Sequence, residues 1–413
     1  MSARGRGFAG AAAVALSWCV LTACGSAGAR SASVLDWYVG PDRADAAALA
    51  RACTEASNGD YSIRIRRLPV DVHDRHTTLV RRLAAKDTSI DILSLDSAFT
   101  AEFSAARFLA PVPENLVPVF GKDVFPAALA AATYDGQLAV APWWFDPQLL
   151  WYRGNVAERA GLDTTKPISW EGLIAGAERL GVTVQIDDRD GSGLAQWVSA
   201  LVAGSGSALV DGTGRKAKVG LDSDAGRAAA SVVELYRKSR LGPGPSTEAL
   251  KNFAAPDGGF LLAPSSVVTD PQLAAVAADM GWTAYPTVGL TSVAPLAGVG
   301  LAVPLYAPRS TQSYKAISCL TSPTSLASIM ADVGHSASKL TTYADPAVTS
   351  SYPMAAVTKK AVQTGRAVPV TPYWNLVQDA IDETWTPSAD VAPDQTPQTS
   401  QSAVRAALEG RLP

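Results

Sequence analysis

The chain has 413 residues, of which 47% are hydrophobic, and it carries 38 acidic side chains against 35 basic ones. If Arg4 and Arg6 leave with an N-terminal signal, 33 basic side chains remain and the net charge is near −5. This balance excludes a broad basic surface for nucleic acid. About 380 mature residues of this composition are enough for two domains, each with its own hydrophobic core.

The N-terminus has the pattern of a secretory signal. Its two arginines precede an apolar run at residues 8–21 that is too short to span a bilayer as a mature helix. The run ends in Leu-Thr-Ala-Cys at 21–24, which resembles a bacterial lipobox, so we expect residues 1–23 to be removed and Cys24 to carry palmitate-type lipid. An ordinary cleavage site followed by an incidental cysteine is the alternative. Residues 24–33 then form a flexible tether, and the protein is a lipoprotein at the outer face of the cell membrane.

The cysteines agree with an oxidising compartment. Cys19 lies in the signal and Cys24 would be lipidated, which leaves Cys53 and Cys319. Both lie on predicted helices, and two such thiols favour a disulfide, although the sequence does not show that the geometry allows one. If the bond forms, the chain must return late to its first domain.

Strands and helices alternate in the first part of the chain. Strands are predicted at 34–39, 61–68 and 90–95, and helices at 44–56 and 74–85. The absence of hairpin turns predicts parallel pairing with right-handed crossovers, and ligands bind beyond the carboxyl ends of such strands. Trp37 and Tyr38 end the first strand, Asp96 ends the third, and Phe99 follows it.

The stretch 134–155 concentrates side chains that suit a ligand wall. The Asp-Gly pair at 135–136 predicts a tight turn, and short strands are predicted at 138–141 and 149–152. Trp143, Trp144 and Asp146 lie between them, bracketed by two prolines, which predicts a loop because proline cannot donate to a central ladder. We interpret this loop as ligand-lining; plain core packing is the alternative.

A second α/β unit and a helical tail follow. The pattern predicts strands at 182–186, 258–263, 282–285 and 298–303, helices at 170–180, 194–203, 225–239 and 313–320, and tail helices at 325–333, 346–362, 373–385 and 401–408. Residues 392–402 are predicted to be a low-complexity linker.

These features together resemble the extracellular solute-binding proteins of bacterial ABC importers, in their sugar-binding branch. The resemblance rests on the lipobox, the first α/β lobe, a Gly-Gln-Leu-Ala-Val-Ala-Pro crossing strand at 136–142 that runs into Leu-Trp-Tyr-Arg at 150–153, and a glycine-rich second crossing strand. It covers essentially the whole mature chain. Residues 95–103 and 368–373 and the cysteine placement look most like the trehalose-binding lipoproteins of mycobacteria and related actinobacteria.

The resemblance implies an α/β, two-lobed periplasmic-binding-protein-like fold with hinge-linked lobes and a ligand cleft between them. We expect one lobe at 34–140 plus 299–335 and the other at 141–298 plus 336–413. It further implies a monomer that binds a sugar and passes it to ABC permease and ATPase subunits, with no cofactor, no metal and no catalysis.

Individual positions follow or depart from the family pattern. Asp96 matches the family's acid at the end of the third strand. Asp146 stands where relatives often carry Asn, and Lys339 stands where they often carry Arg. The segment 260–266 lacks the stacking Trp that is common there and offers only Pro-Ser-Ser at 264–266. These departures bear on whether the ligand is trehalose itself.

The residue types suit a sugar, because aromatic rings cover the apolar face of a pyranose while acids, amides and basic groups pair with its hydroxyls. The candidate ligand-binding residues are Asp96, Trp143, Trp144 and Asp146, followed by Trp37, Tyr38, Phe99, Trp197 and Lys339. We expect the two adjacent tryptophans to replace the missing platform. The alternatives are a core position for Trp197, sheet capping by Trp37 and Tyr38, and a solvated charge for Lys339.

Two other classes of protein remain open. A secreted glycosidase needs two facing carboxylates, which Asp96 and Asp146 would supply, but the sequence has no hydrolase elbow, metalloprotease or phosphate-loop motif. A receptor with an altered cleft is the other class. Zinc at His73 and His76 is poorly supported because no Cys or further His lies close to them in the sequence. At 187–191 a solvated turn is better supported than a calcium loop.

Overall fold

A computed structural model describes residues 33–40, 46–212, 216–289 and 291–411. The predicted signal, Cys24 and nearly all of the tether lie outside the described residues. The strands are β1 Ser33–Val39, β2 Tyr61–Arg67, β3 Ile92–Asp96, β4 Thr133–Tyr134, β5 Gln137–Leu138, β6 Ala141–Arg153, β7 Thr183–Asp187, β8 Val210–Asp211, β9 Lys218–Val219, β10 Pro245–Ser246, β11 Gly258–Pro264, β12 Met280–Thr283, β13 Pro295–Ala302 and β14 Arg366–Ala367.

The helices alternate with these strands and then form the C-terminal part of the chain. They are α1 Ala46–Ala56, α2 Val72–Ala84, α3 Thr100–Ala105, α4 Val117–Gly121, α5 Pro126–Ala131, α6 Gly154–Arg159, α7 Trp170–Leu180, α8 Gly193–Gly204, α9 Asp224–Lys238, α10 Ala249–Ala254, α11 Ser310–Leu320, α12 Pro323–Ser328, α13 Pro346–Ser351, α14 Ala355–Thr364, α15 Trp374–Trp385 and α16 Thr396–Leu408. Among the described residues, we find no helix with the length and apolar character to cross a bilayer.

The fold has two α/β lobes that share one strand. The sheet order is β10-β7-β11-β6-β13-β3-β1-β2. In the first lobe, β1 pairs in parallel with β2 and β3, as predicted, and β13 runs antiparallel to β3. In the second lobe, β7 pairs in parallel with β10 and β11. The strand β6 belongs to both, because its first part pairs with β13 and its last part pairs with β11 and β12.

The predicted loop between two short strands is wrong, since β6 is one strand of 13 residues. Its prolines fall where the ladder is interrupted. Pro142 lies opposite a register shift between Val299 and Gly300, and Pro147 is the last residue paired with β13 before β11 takes over. Bulges and changes of partner are positions where a missing N–H costs little. The two prolines are therefore compatible with one continuous strand that passes from the first lobe into the second.

The disulfide is present. The sulfur atoms of Cys53 on α1 and Cys319 on α11 are 2.07 Å apart, and the Cα atoms are 5.8 Å apart. This confirms that the chain returns to its first lobe after building most of the second.

Two predictions about the helical tail need correction. The predicted helix at 346–362 is divided into α13 and α14, because Pro353 cannot continue the first of them. The predicted linker is helical from Thr396, with Pro397 in the first turn of α16, where its missing N–H has no partner to lose. The proline in this segment is typical of a linker, but proline is also favoured in the first turn of a helix.

Candidate ligand site between the two lobes

A cavity of about 400 Å³ lies between the lobes, beyond the carboxyl ends of β3, β7 and β11. This volume is in the range of small-molecule sites, and the position is the usual one for an α/β sheet. The lining residues are Val70, Val72, Arg75, Asp96, Ser97, Ala98, Trp144, Asp146, Gln148, Asp187, Arg189, Asp190, Ser192, Gly193, Gln196, Pro264, Ser266, Leu296, Ala297, Gly298, His335, Val368, Trp374 and Gln378.

The shared strand β6 supplies the floor of the cavity. Alternate residues of a strand point to the same face, and Trp144, Asp146 and Gln148 all line the cavity. The indole of Trp144 stacks on the imidazole of His335, with ring centroids 4.1 Å apart. Asp146 is fixed on both sides, since Oδ2 lies 2.6 Å from Nδ1 of His335 and Oδ1 accepts the backbone N–H of Ser336 at 2.6 Å. The floor is therefore rigid and polar.

The first lobe contributes an acid held by a buried arginine. Asp96 ends β3, and its Oδ2 accepts from Nε of Arg75 at 2.7 Å. Nη1 of Arg75 also donates to the carbonyl oxygens of Pro69 and Val70, at 3.0 and 2.7 Å. The side chain of Arg75 is only 5% exposed, whereas that of Asp96 is 26% exposed. Arg75 thus positions a carboxylate that remains accessible to a ligand.

The second lobe contributes the loop that follows β7. Nε and Nη2 of Arg189 donate to the two carboxylate oxygens of Asp187, both at 2.7 Å, and Nη1 donates to Asp270 at 3.0 Å. The carboxylate of Asp190 accepts the N–H and the hydroxyl of Ser192, at 3.1 and 2.6 Å. This loop is held by hydrogen bonds among its own side chains and to Asp270.

Helix α15 closes the cavity from the side of the C-terminal segment. Trp374 and Gln378 line the cavity from its first two turns. The amide Nε2 of Gln378 donates to the carbonyl oxygen of Gly191 at 3.0 Å. The amide of Asn375 donates to Oε2 of Glu102 on α3 at 2.8 Å, so α15 contacts the first lobe as well.

Among the residues predicted from sequence, Asp96, Trp144 and Asp146 line this cavity. Trp143 does not, because the strand directs it to the opposite face from Trp144. It is fully buried and packs edge-to-face on Trp37, with centroids 5.4 Å apart. Trp37 is also a core residue, and its Nε1 donates to the hydroxyl of Ser94 at 3.0 Å. For these two residues the packing alternative is the correct one.

Two further predicted rings lie outside the cavity wall. Tyr38 is covered by the guanidinium of Arg82, 4.5 Å from the ring centroid. Phe99 is 1% exposed and stacks on Phe103 at 5.8 Å. Tyr38 lies within β1 and packs under α2, and Phe99 packs on α3, so these side chains stabilise the first lobe instead of facing a ligand.

Trp197 and Lys339, the last two residues predicted to bind ligand, also have structural roles. Trp197 is 1% exposed and packs on Trp170 in the core of the second lobe, with centroids 5.6 Å apart. Lys339 donates from Nζ to the carbonyl oxygen of Val119 at 3.0 Å and is not among the lining residues. Burial lowers the pKa of Lys339. For Trp197 this is the core position that the sequence left open as the alternative.

The site residues that sequence reasoning missed are Arg75, Arg189, His335 and Trp374. Arg75 and His335 acquire their roles from carboxylates distant in sequence. The pairing of His335 with Asp146, for example, spans 189 residues. Trp374 had a readable signal, since it is an indole at the start of a predicted helix, next to the 368–373 segment that carried the family resemblance.

Among the described residues, no group of three or more His, Cys, Asp or Glu side chains is arranged to hold a metal ion. His76 instead contacts Glu102 at 2.9 Å, and the carboxylate of Asp187 is taken by Arg189.

The fold and cavity define a two-lobed α/β binding protein whose ligand site lies at the junction of the lobes. Residues 48–359 match the family model of the bacterial extracellular solute-binding protein, and the chain belongs to that family. Solved structures of similar fold include maltose-bound MalE3 of T. maritima, with 20% identity, a TM-score of 0.79 and coverage of 91% of this chain and 99% of that one.

Two further structures share this fold. The GacH receptor of Streptomyces glaucescens GLA.O, studied unliganded and with acarbose, has 18% identity and a TM-score of 0.79 over 92% of this chain and 99% of that one. An ABC transporter solute-binding protein of Agrobacterium radiobacter K84 in complex with ribitol has 18% identity and a TM-score of 0.73, over 90% of this chain and 98% of that one. The expected two-lobed periplasmic-binding-protein-like fold is confirmed.

Proposed function

We propose that this protein captures a small sugar, a disaccharide of the trehalose type, in the cavity between its lobes and delivers it to an ABC permease. The observation that carries the proposal is the make-up of the wall, in which the indoles of Trp144 and Trp374 accompany carboxylates and amides from both lobes. Rings of this kind cover the apolar face of a pyranose, while carboxylates and amides pair with its hydroxyls.

The size of the site and the relatives support this reading. A volume of about 400 Å³ is near the lower end of the range for small-molecule sites, which favours one or two sugar rings over a long oligosaccharide. The similar structures hold maltose, acarbose and ribitol, all rich in hydroxyls. Polyols therefore belong in any ligand screen beside disaccharides.

The lobes close by rotation about the crossing segments. We place one lobe at 34–140 plus 299–335 and the other at 141–298 plus 336–413. The strand β6 passes through both lobes, so it is suited to serve as part of a hinge.

The site residues of this proposal act in two ways. Asp96, Asp146, Gln148 and Gln196 offer oxygen and nitrogen atoms to the sugar hydroxyls, and Trp144 and Trp374 cover its apolar faces. Arg75, Arg189 and His335 hold the carboxylates in place. Binding, not turnover, is the expected outcome, so the sugar is recovered unchanged.

A thermal-shift screen tests the proposal. Trehalose, maltose, sucrose, glucose, ribitol and mannitol are added to the purified protein, and at least one of the disaccharides is expected to raise the unfolding midpoint. Gln148→Ala should diminish the rise, whereas Gln185→Ala, a buried glutamine away from the cavity, should keep it. If no sugar or polyol shifts the midpoint, the proposed function is wrong.

Lipid attachment at Cys24 is a separate part of the proposal. The wild-type protein should remain with the cell membrane, and Cys24→Ser should appear in the culture medium. Mass spectrometry of the mature N-terminus should show an acylated cysteine. An unmodified Cys24 at the mature N-terminus would contradict the anchor.

A further inference from the structure

We propose that one water molecule binds in a small second cavity beside Trp144, where it joins the indole of that residue to the hydroxyl of Thr100 and fixes the orientation of the ring. The small cavity has a volume of about 10 Å³ and lies among α3, α5, β6 and β13. It shares Ser97 and Trp144 with the larger ligand cavity. A space of about 10–15 Å³ is the smallest that holds one water molecule, so the small cavity admits a single water and no sugar.

Two buried polar atoms on the wall of the small cavity need a partner. Neither Oγ1 of Thr100 nor Nε1 of Trp144 has a hydrogen-bond partner among the described residues. Thr100 is fully buried, and Trp144 is only 8% exposed. Burying a hydroxyl or an indole N–H without a hydrogen bond costs free energy, and such groups in folded proteins are usually satisfied by another residue or by ordered water. Both residues border the small cavity, so a water there reaches both.

A missing partner alone does not define a water site. The indole nitrogens of Trp143 and Trp197 also lack a partner among the described residues, yet neither residue borders the small cavity or the ligand cavity. Thr100 and Trp144 differ from them because they border the same water-sized space from two different elements, α3 and β6. A bound water would accept the indole N–H and donate to the threonine hydroxyl, which satisfies both groups at once.

The chemistry of the wall favours water over an ion. Apart from Ser97, Thr100 and the indole, the described residues that form the wall have apolar side chains or are glycine, and none of them is charged. An ion buried there would have no opposite charge to offset its loss of hydration. A neutral water needs only two to four polar partners. Ser97 is a further polar residue on this wall.

The water would hold one edge of the Trp144 indole, while another residue holds one of its faces. The ring stacks on the imidazole of His335, with centroids 4.1 Å apart and an angle of 14° between the planes. Stacking of this kind leaves the ring free to turn within its own plane, whereas a hydrogen bond from Nε1 through water to Thr100 fixes that rotation. Thr100 is therefore a positioning residue. Its effect on sugar binding rests on the proposed function, but the existence of the water site does not.

The water site is tested on the ligand-free protein. A high-resolution crystal structure should show an ordered water within about 3.2 Å of both Oγ1 of Thr100 and Nε1 of Trp144. In protein with isotope-labelled tryptophan, the indole N–H signal that disappears in Trp144→Phe should show magnetisation transfer with a bound water. Thr100→Val keeps the shape of the side chain and removes its hydroxyl, so the water should be lost and the indole should turn. Thr100→Ser restores the hydroxyl and should restore both.

The effect on sugar binding is measured by calorimetry with trehalose. We expect Thr100→Val to bind trehalose about fivefold more weakly than the wild type, the effect of one hydrogen bond, and Thr100→Ser to bind it nearly as well. Thr183→Val is the matched control, because Oγ1 of Thr183 is also buried without a partner among the described residues but borders neither cavity. Its affinity should equal that of the wild type.

Each outcome decides one claim. A crystal structure without the water, or an indole signal with no contact to water, overturns the proposal and leaves the proposed function intact. A water that persists in Thr100→Val overturns the role given to Thr100, and an unchanged indole orientation in that variant overturns the positioning role of the water. If the wild-type protein does not bind trehalose, the proposed ligand is wrong, and the crystallographic and NMR results still decide whether the water site exists.

Discussion

The backbone N–H of Val72 donates to the carbonyl oxygen of Asp190 at 3.0 Å. Val72 begins α2 in the first lobe, and Asp190 lies in the loop after β7 in the second, so this bond joins the lobes at the rim of the cavity. The Asn375–Glu102 contact is a second such bond. Both bonds bridge the cavity from one side to the other, so we take the described conformation as closed and expect opening at the rim to break both.

Loss of the Asn375 contact should speed ligand release. Asn375→Ala removes the hydrogen bond to Glu102 without altering the cavity wall, so the bound sugar should dissociate about tenfold faster. Stopped-flow tryptophan fluorescence measures this rate. Asn252→Ala is the control, because that amide contacts Gln185 within the second lobe. An unchanged dissociation rate in Asn375→Ala would show that the contact does not hold the lobes together.

Two tryptophans on α15 separate binding from stability. Trp374 begins the helix and lines the cavity, whereas Trp385 ends it and donates to the hydroxyl of Ser400 in the core. Trp374→Leu should weaken sugar binding at least tenfold, while Trp385→Leu should lower the free energy of unfolding by about 3 kcal/mol and spare affinity. Calorimetry and urea unfolding measure the two effects. Equal affinity losses in both variants would mean that Trp374 acts only through folding.

The disulfide should contribute to stability without contacting ligand. It closes a loop of 266 residues, and removing a native disulfide costs about 2–5 kcal/mol. The double variant Cys53→Ala, Cys319→Ala should unfold at lower urea concentration, as should the reduced wild-type protein. Neither cysteine lines the cavity, so affinity for the sugar should persist where the protein is folded. If the double variant is as stable as the oxidised wild type, the disulfide does not stabilise the folded protein.

Two acids should make the protein less stable as the pH rises. Burial raises the pKa of Asp382 to about 7, with added repulsion from Asp188 and Asp379, and burial raises the pKa of Asp188 to about 6. Both values exceed the usual 3.8, so the folded protein retains protons that the unfolded chain has released. The free energy of unfolding should therefore fall between about pH 4 and pH 7.

Substitution of the more strongly shifted acid checks this prediction. Asp382→Asn has no proton to lose at that position, so its stability should fall less over the same pH range and should exceed that of the wild type at pH 8. Urea unfolding at several pH values gives the two curves. Parallel curves for variant and wild type would assign the pH dependence to other groups.

Local sequence signals predicted most of the fold correctly. The helix predicted at 170–180 is α7 with the same bounds; the Ser169 hydroxyl accepts the N–H of Gly172 at its start, and Gly181 ends it at a φ of 65°. The strand predicted at 61–68 is β2, and the two thiols left after the signal and the lipidation site form the disulfide. In these cases the residues that determine the structure lie within a few positions of one another, or, for the disulfide, form a pair with few alternative pairings.

The candidate site was only partly predictable, and β6 shows why. Two prolines predict a loop, but the segment is a strand. Strand alternation then places Trp144 and Asp146 on one face and directs Trp143 to the core on the other. The pairing of His335 with Asp146 joins positions 189 residues apart, which no local pattern encodes.

Small-angle X-ray scattering with and without saturating trehalose tests the central claim most directly, namely that a sugar closes the two lobes around it. We predict that the sugar reduces the radius of gyration and brings the scattering curve into agreement with the closed conformation described above, while Trp374→Leu at the same sugar concentration remains open. A sugar that binds by calorimetry but leaves the scattering of an open protein unchanged would contradict closure of the cavity around its ligand.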